Sequence, residues 1–115
     1  MANPSANEIA IVAALRRLKR GEVVAYGEVA RRAGLPGRAR LVARVLAHAS
    51  VDDLPWYRVL RADGRIAFAP GSAEFVEQVR RLHAEGVSVS DGRVGTALVR
   101  NSLDALLWAP PPSAG

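Results

Sequence analysis

The chain contains no cysteine. That single absence excludes a disulfide framework, a thiolate zinc site and a cysteine nucleophile. Histidine is nearly as scarce, with His48 and His83 alone, so neither a histidine-built metal site nor a bound cofactor is expected. No uncharged run approaches the roughly 18 residues that a membrane span requires. No basic segment followed by an apolar stretch marks a secretory leader either. A soluble, cytoplasmic protein is the expectation.

What remains is a chain of 115 residues, half of them hydrophobic and spread evenly, which suits one domain with a modest core. The net charge of +5 is placed unevenly. Residues 1–65 hold twelve Lys/Arg against six Asp/Glu, and residues 66–115 hold four against five. Such asymmetry suits a basic face for a phosphate backbone. The rival reading is a solvated surface, since arginine outnumbers lysine fifteen to one.

The periodicities predict a mainly α protein with small β elements. Ser5 and Glu8 form a capping box that opens a helix over 6–19, closed by Gly21. Val23-Val24-Ala25 is a short extended stretch. A brief helix covers 27–33, ended by Gly34 and the Leu35-Pro36 turn. The next spans 37–48, with Val42, Val45, Leu46 and Ala49 facing inward and Arg40, Ala43, Arg44 and Ala47 outward. Two helices joined by a short turn predict a helix-turn-helix within a winged-helix-like domain. Residues 56–60 are expected to be extended, 62–65 a turn and 66–68 a short strand. Ser72 caps a helix that runs to about Glu85, with Phe75, Val76, Val79 and Leu82 as its apolar face. A small hairpin is expected over 87–99. The domain is expected to occupy residues 1–109, leaving a proline-rich, disordered tail at 110–115.

Three segments in series carry a more specific signal. The first is Val24-Ala-Tyr26-Gly27-Glu28-Val-Ala30-Arg31, with Gly34-Leu-Pro36 and Ala39-Arg40-Leu-Val42 behind it. The second is Pro55-Trp56-Tyr57-Arg58-Val59. The third is Arg81-Leu82-His-Ala-Glu85-Gly86-Val87, with a late Trp108-Ala-Pro110. Together they resemble the C-terminal domain of the alkylguanine-DNA alkyltransferases. In those enzymes the second motif reads Pro-Cys-His-Arg, and its cysteine accepts the alkyl group. Trp56 at that position identifies the chain with the alkyltransferase-like proteins, which bind the lesion without repairing it. Indole offers no comparable nucleophile, so no enzyme is expected.

The resemblance implies double-stranded DNA containing guanine alkylated on its exocyclic oxygen as the partner. Binding is expected from the minor groove by base flipping, with the lesion marked for nucleotide excision repair proteins. A monomer is expected, nucleoid-associated in a bacterium. By the same resemblance Tyr26, Trp56, Tyr57 and Arg58 line or brace the lesion pocket, and Tyr26 presses on the 3′ phosphate. Arg40 is the finger that fills the vacated stack, a role its planar guanidinium suits. Ala39 and Ala43 are small enough for a helix in a narrow groove. Arg31, Arg32, Arg38 and Arg44 are candidate phosphate contacts.

Two positions depart from the family pattern: Tyr57 stands where the enzymes have a proton-relaying His, and Ala69 where some members carry a basic pocket residue. Two other functions remain open at this point. One is a winged-helix regulator that reads a sequence in undamaged duplex. The other is an enzyme using another nucleophile such as Tyr57.

Overall fold

Val23-Val24-Ala25 is buried on every residue, which explains why it reads as an unbroken apolar run rather than an alternating one. It is the central strand of the structure, a computed structural model that describes residues 5–48, 54–95 and the backbone of 99–100. The elements are α1 (Ala6–Arg16), β1 (Val23–Ala25), α2 (Tyr26–Arg32), α3 (Ala39–His48), a 3₁₀ turn (Trp56–Arg58), β2 (Val59–Leu60), α4 (Ala73–Ala84) and β3 (Val99–Arg100). The sheet has the order β2-β1-β3, and both pairings are parallel.

The pleat of β1 divides the interior. Val24, with Val59 opposite it in register, faces a cluster built on Ile11, Leu15, Val29, Val42 and Val45 from α1, α2 and α3. Val23, Ala25 and Leu60 face the other way, onto Ile66, Leu82, Val87 and Val94. Successive strand residues point to opposite faces, so three residues serve two cores.

The predicted mainly α, helix-turn-helix architecture is present. Ser5 caps α1, accepting from the Glu8 N–H at 3.1 Å, and Ser72 caps α4, accepting from Phe75 at 3.2 Å. α2 ends as sequence signals require. Gly34 has φ +78°, its N–H donates to the Arg31 carbonyl, and Leu35 donates to Ala30 at 2.8 Å. This is the six-to-one and five-to-two closure that a left-handed glycine permits.

Several expectations are corrected. α1 stops at Arg16 with Arg17 as its cap, so Gly21 does not close it. α3 begins at Ala39 rather than at 37. Trp56–Arg58 is a 3₁₀ turn, not an extended segment, and only Val59 and Leu60 pair as a strand. Residues 66–68 form no strand; Arg65 makes an isolated bridge to Arg93 instead. The hairpin shrinks to a turn bridged by Ser90 and Arg93, and Val99 pairs in parallel with β1. On α4, Val76 is exposed and Gln78 is buried. Gln78 Nε2 donates to the Tyr57 and Val59 carbonyls at 3.0 and 3.1 Å, contacts that an apolar residue could not make. Ala49, the late Trp108-Ala-Pro110 motif and the 110–115 tail lie outside the described residues.

Candidate nucleic-acid interface

α3 is positioned by its inner face. Val42 and Val45 are buried and Leu46 is half-buried against the α1–α2 cluster. At about 100° per residue this turns Arg40, Ala43, Arg44 and Ala47 outward, and all four are exposed. Ala39 is half-buried at the helix start. The turn and the first helical residues enclose a groove of about 470 Å³ lined by Gly37, Arg38, Ala39, Arg40, Leu41 and Arg44. Among the described residues, Arg38, Arg40 and Arg44 have no carboxylate partner, so the groove carries three uncompensated guanidinium groups.

Arg31 and Arg32 differ. Arg31 grips Glu28 with two hydrogen bonds of 2.9 and 2.7 Å. Arg32 reaches Glu28 at 2.8 Å and Glu22 at 3.0 Å. Glu28 is only 5% exposed, and its hydrogen bond to Arg31 holds its carboxyl below the usual range despite burial. These two arginines neutralise acids on α2 and before it.

Trp56, Tyr57 and Arg58 sit together on the 3₁₀ turn between Pro55 and β2. Trp56 is 8% exposed and meets Tyr57 and Phe68 edge-on, with ring centroids 6.0 and 5.8 Å away. The Arg81 guanidinium lies 5.8 Å from the Trp56 ring and 5.3 Å from that of Tyr57, and Glu77 holds it at 2.7 Å. The buried indole Nε1 has no hydrogen-bond partner among the described residues.

Arg58 is fully engaged. Its Nε and Nη2 donate to Glu85 at 3.0 and 2.6 Å, and its Nη1 donates to the Leu18 carbonyl at 2.8 Å. Glu85 caps the carboxyl end of α4, where the helix dipole disfavours a negative charge. Arg58 offsets that, and the Gly21 N–H adds a bond at 2.8 Å. Gly21 has φ +80°, so a left-handed residue turns this amide toward the carboxylate. The Tyr57 phenol lies within the influence of the same carboxylate. Burial, then the Glu85 carboxylate, push the Tyr57 phenol above its ordinary range. A phenol kept protonated is a poor nucleophile.

Tyr26 stands apart from this group. It opens α2, packs against the α1–α3 cluster and makes no ring contact with Trp56. Burial raises its pKa, while the nearby Arg61 opposes the shift. Sequence reasoning assigned no role to Phe68, Arg81, Gln78 or Arg61. The spacing of Glu77 and Arg81 signals a helical ion pair. Nothing local signals that Arg81 stacks on rings some 25 positions earlier, at Trp56 and Tyr57.

Residues 6–87 match the family described as the DNA-binding domain of 6-O-methylguanine DNA methyltransferase. A DNA base-flipping protein of Vibrio parahaemolyticus is 36% identical over 84 residues, covering 72% of the chain and 82% of that protein. Alkyltransferase-like protein 1 of Schizosaccharomyces pombe is 34% identical over 91 residues, covering 78% and 82%. The crystal structure of S. pombe Atl1 in complex with damaged DNA containing O6-carboxymethylguanine superposes with a TM-score of 0.70 at 28% identity, over 95% of this chain and all of that one.

Proposed function

The chain belongs to the family of the 6-O-methylguanine DNA methyltransferase DNA-binding domain, as an alkyltransferase-like protein, and from that premise we propose that it recognises alkylated guanine in duplex DNA without removing the alkyl group. The observation that carries the reading is Trp56. In a chain with no cysteine, a buried indole stands where the resemblance of Pro55-Trp56-Tyr57-Arg58 to the enzymes' motif would put the acceptor thiol. Indole presents an apolar surface to an alkyl group and has no lone pair that attacks carbon at neutral pH.

Extruding the nucleotide costs a few kcal/mol, and less at a pair already weakened by alkylation. Arg40, exposed at the start of α3, fills the vacated stack. Arg38 and Arg44 hold phosphates beside it, and the alanines between them let the helix sit in a groove roughly 6 Å wide. Tyr26 turns the nucleotide from its 3′ side. Arg58 acts by fixing the Trp56 turn, because all its donor nitrogens already have protein partners. Bound as a monomer on chromosomal DNA in the cytoplasm, the protein marks the lesion for nucleotide excision repair.

A gel shift with one duplex, with and without methylated guanine, tests this reading. Clear preference for the methylated duplex is expected; equal binding overturns the proposal in favour of a sequence-reading regulator. Incubation with radiolabelled methylated DNA should leave the protein unlabelled. Label on the protein would restore an enzymatic reading.

A further inference from the structure

β1 and β2 pair in parallel with Val24 opposite Val59 and Ala25 opposite Leu60. One residue beyond these pairs both chains leave the sheet, at Tyr26, which opens α2, and at Arg61. Adjacent strands lie about 4.8 Å apart, and residues in register project to the same face. Val59 faces the α1–α3 cluster against which Tyr26 also packs, so by strand alternation Arg61, two residues on, sets out toward the same helix-turn-helix side of the sheet.

The backbone of Arg61 is fixed. Its N–H donates to the Arg65 carbonyl at 2.9 Å, and its carbonyl accepts from Gly64 at 2.8 Å. Its neighbours in the turn are tied down, since Arg65 lies 3.6 Å from the Asp63 carboxylate and Arg93 donates to the Asp63 carbonyl at 2.9 Å. Arg61 itself is exposed and has no carboxylate partner among the described residues. The same cation lies close enough to the Tyr26 phenol to oppose the effect of burial there. An exposed arginine on a rigid turn beside a tyrosine hydroxyl offers one charge-assisted donor and one neutral donor to a single phosphate.

We infer that Arg61 is a phosphate ligand that acts jointly with Tyr26, gripping the DNA backbone on the 3′ side of the extruded nucleotide. This rests on the proposed function, because it takes the α2–α3 side as the DNA-facing one. It extends the interface from the helix-turn-helix onto the carboxyl ends of the strands. There, a rigid two-donor grip holds the backbone while the base rotates.

The test is a double-mutant cycle between protein and DNA. Wild type and Arg61→Ala are titrated with a methylated duplex carrying either a natural phosphate or an uncharged methylphosphonate 3′ to the lesion. Wild type should lose about tenfold in affinity on the neutral linkage. Arg61→Ala should lose about as much on the natural duplex and nothing more on the neutral one. Its plot of log affinity against log salt should be shallower by about one unit, while Arg61→Lys keeps the slope. Wild-type affinity and slope in Arg61→Ala, or additive losses across the cycle, overturn the inference. If wild type does not prefer the methylated duplex, the proposed function fails first. The salt slope on undamaged duplex then still judges Arg61 alone.

Discussion

The outer face of α3 and the Trp56–Arg58 turn are both rich in arginine, yet they treat charge in opposite ways. On the turn into α3 and along its outer face, the guanidinium groups of Arg38, Arg40 and Arg44 stand in solvent without carboxylates among the described residues. At the turn, Arg58 and Arg81 are held by Glu85 and Glu77 and lie against aromatic rings. Uncompensated charge is suited to an external polyanion, since binding releases counterions without first breaking an ion pair. Compensated charge is suited to holding a backbone turn in place. Counting arginines therefore says little about a DNA interface until each is matched with its acid.

Removing Glu85 should give the largest effect and would fall on the second region. The Arg58 and Glu85 side chains are 14% and 7% exposed. Taking one partner from a buried pair leaves a charge uncompensated, at a cost of about 3 kcal/mol. Glu85→Ala should lower the urea-unfolding free energy by about that much. It should also weaken lesion binding, because the Trp56 turn loses its anchor. A loss below about 0.5 kcal/mol would show that Arg58 does not depend on this carboxylate.

Arg40→Ala should do the reverse. Stability should change by less than about 0.5 kcal/mol, as for an exposed residue without partners. Affinity for a methylated duplex should fall roughly tenfold or more, while affinity for a methylated single strand changes less, since no stack needs filling there. Equal losses on both substrates would remove the finger role.

The smallest effect separates paired from unpaired arginines directly. Arg38→Gln and Arg44→Gln should each reduce the salt slope of DNA binding by about one unit. Arg31→Gln and Arg32→Gln should leave it nearly unchanged, because Glu28 and Glu22 already neutralise those groups. A slope that falls alike in all four variants would erase the distinction between the two treatments of charge.

Legibility in the sequence followed the range of the forces involved. The burial of Val42 and Val45 and the exposure of Arg40, Ala43, Arg44 and Ala47 follow from helical spacing alone. So do both serine caps and the Gly34 closure, which are local hydrogen-bond requirements. The Trp56 turn looks extended in the sequence because its shape depends on Arg58 reaching Leu18 and Glu85, 40 and 27 positions away. Hydropathy points to Val76 rather than Gln78 on the inner face, because the carbonyls that need a donor are contributed by the distant Tyr57 and Val59. The parallel pairing of β1 was hidden as well, since a strand covered on both faces shows no alternation. The neutralisation of Arg31 and Arg32 was partly visible, as Glu28 precedes them by three and four residues.

β1 has a mechanical consequence. Because its alternate residues belong to different cores, inserting or deleting one residue between Gly21 and Tyr26 would exchange the two faces at a stroke. Tyr26 would leave the helical side just as Val23 and Ala25 swapped their surroundings with Val24. The groove at the start of α3 and the aromatic cage around Trp56 are thus measured from a common ruler, three residues long.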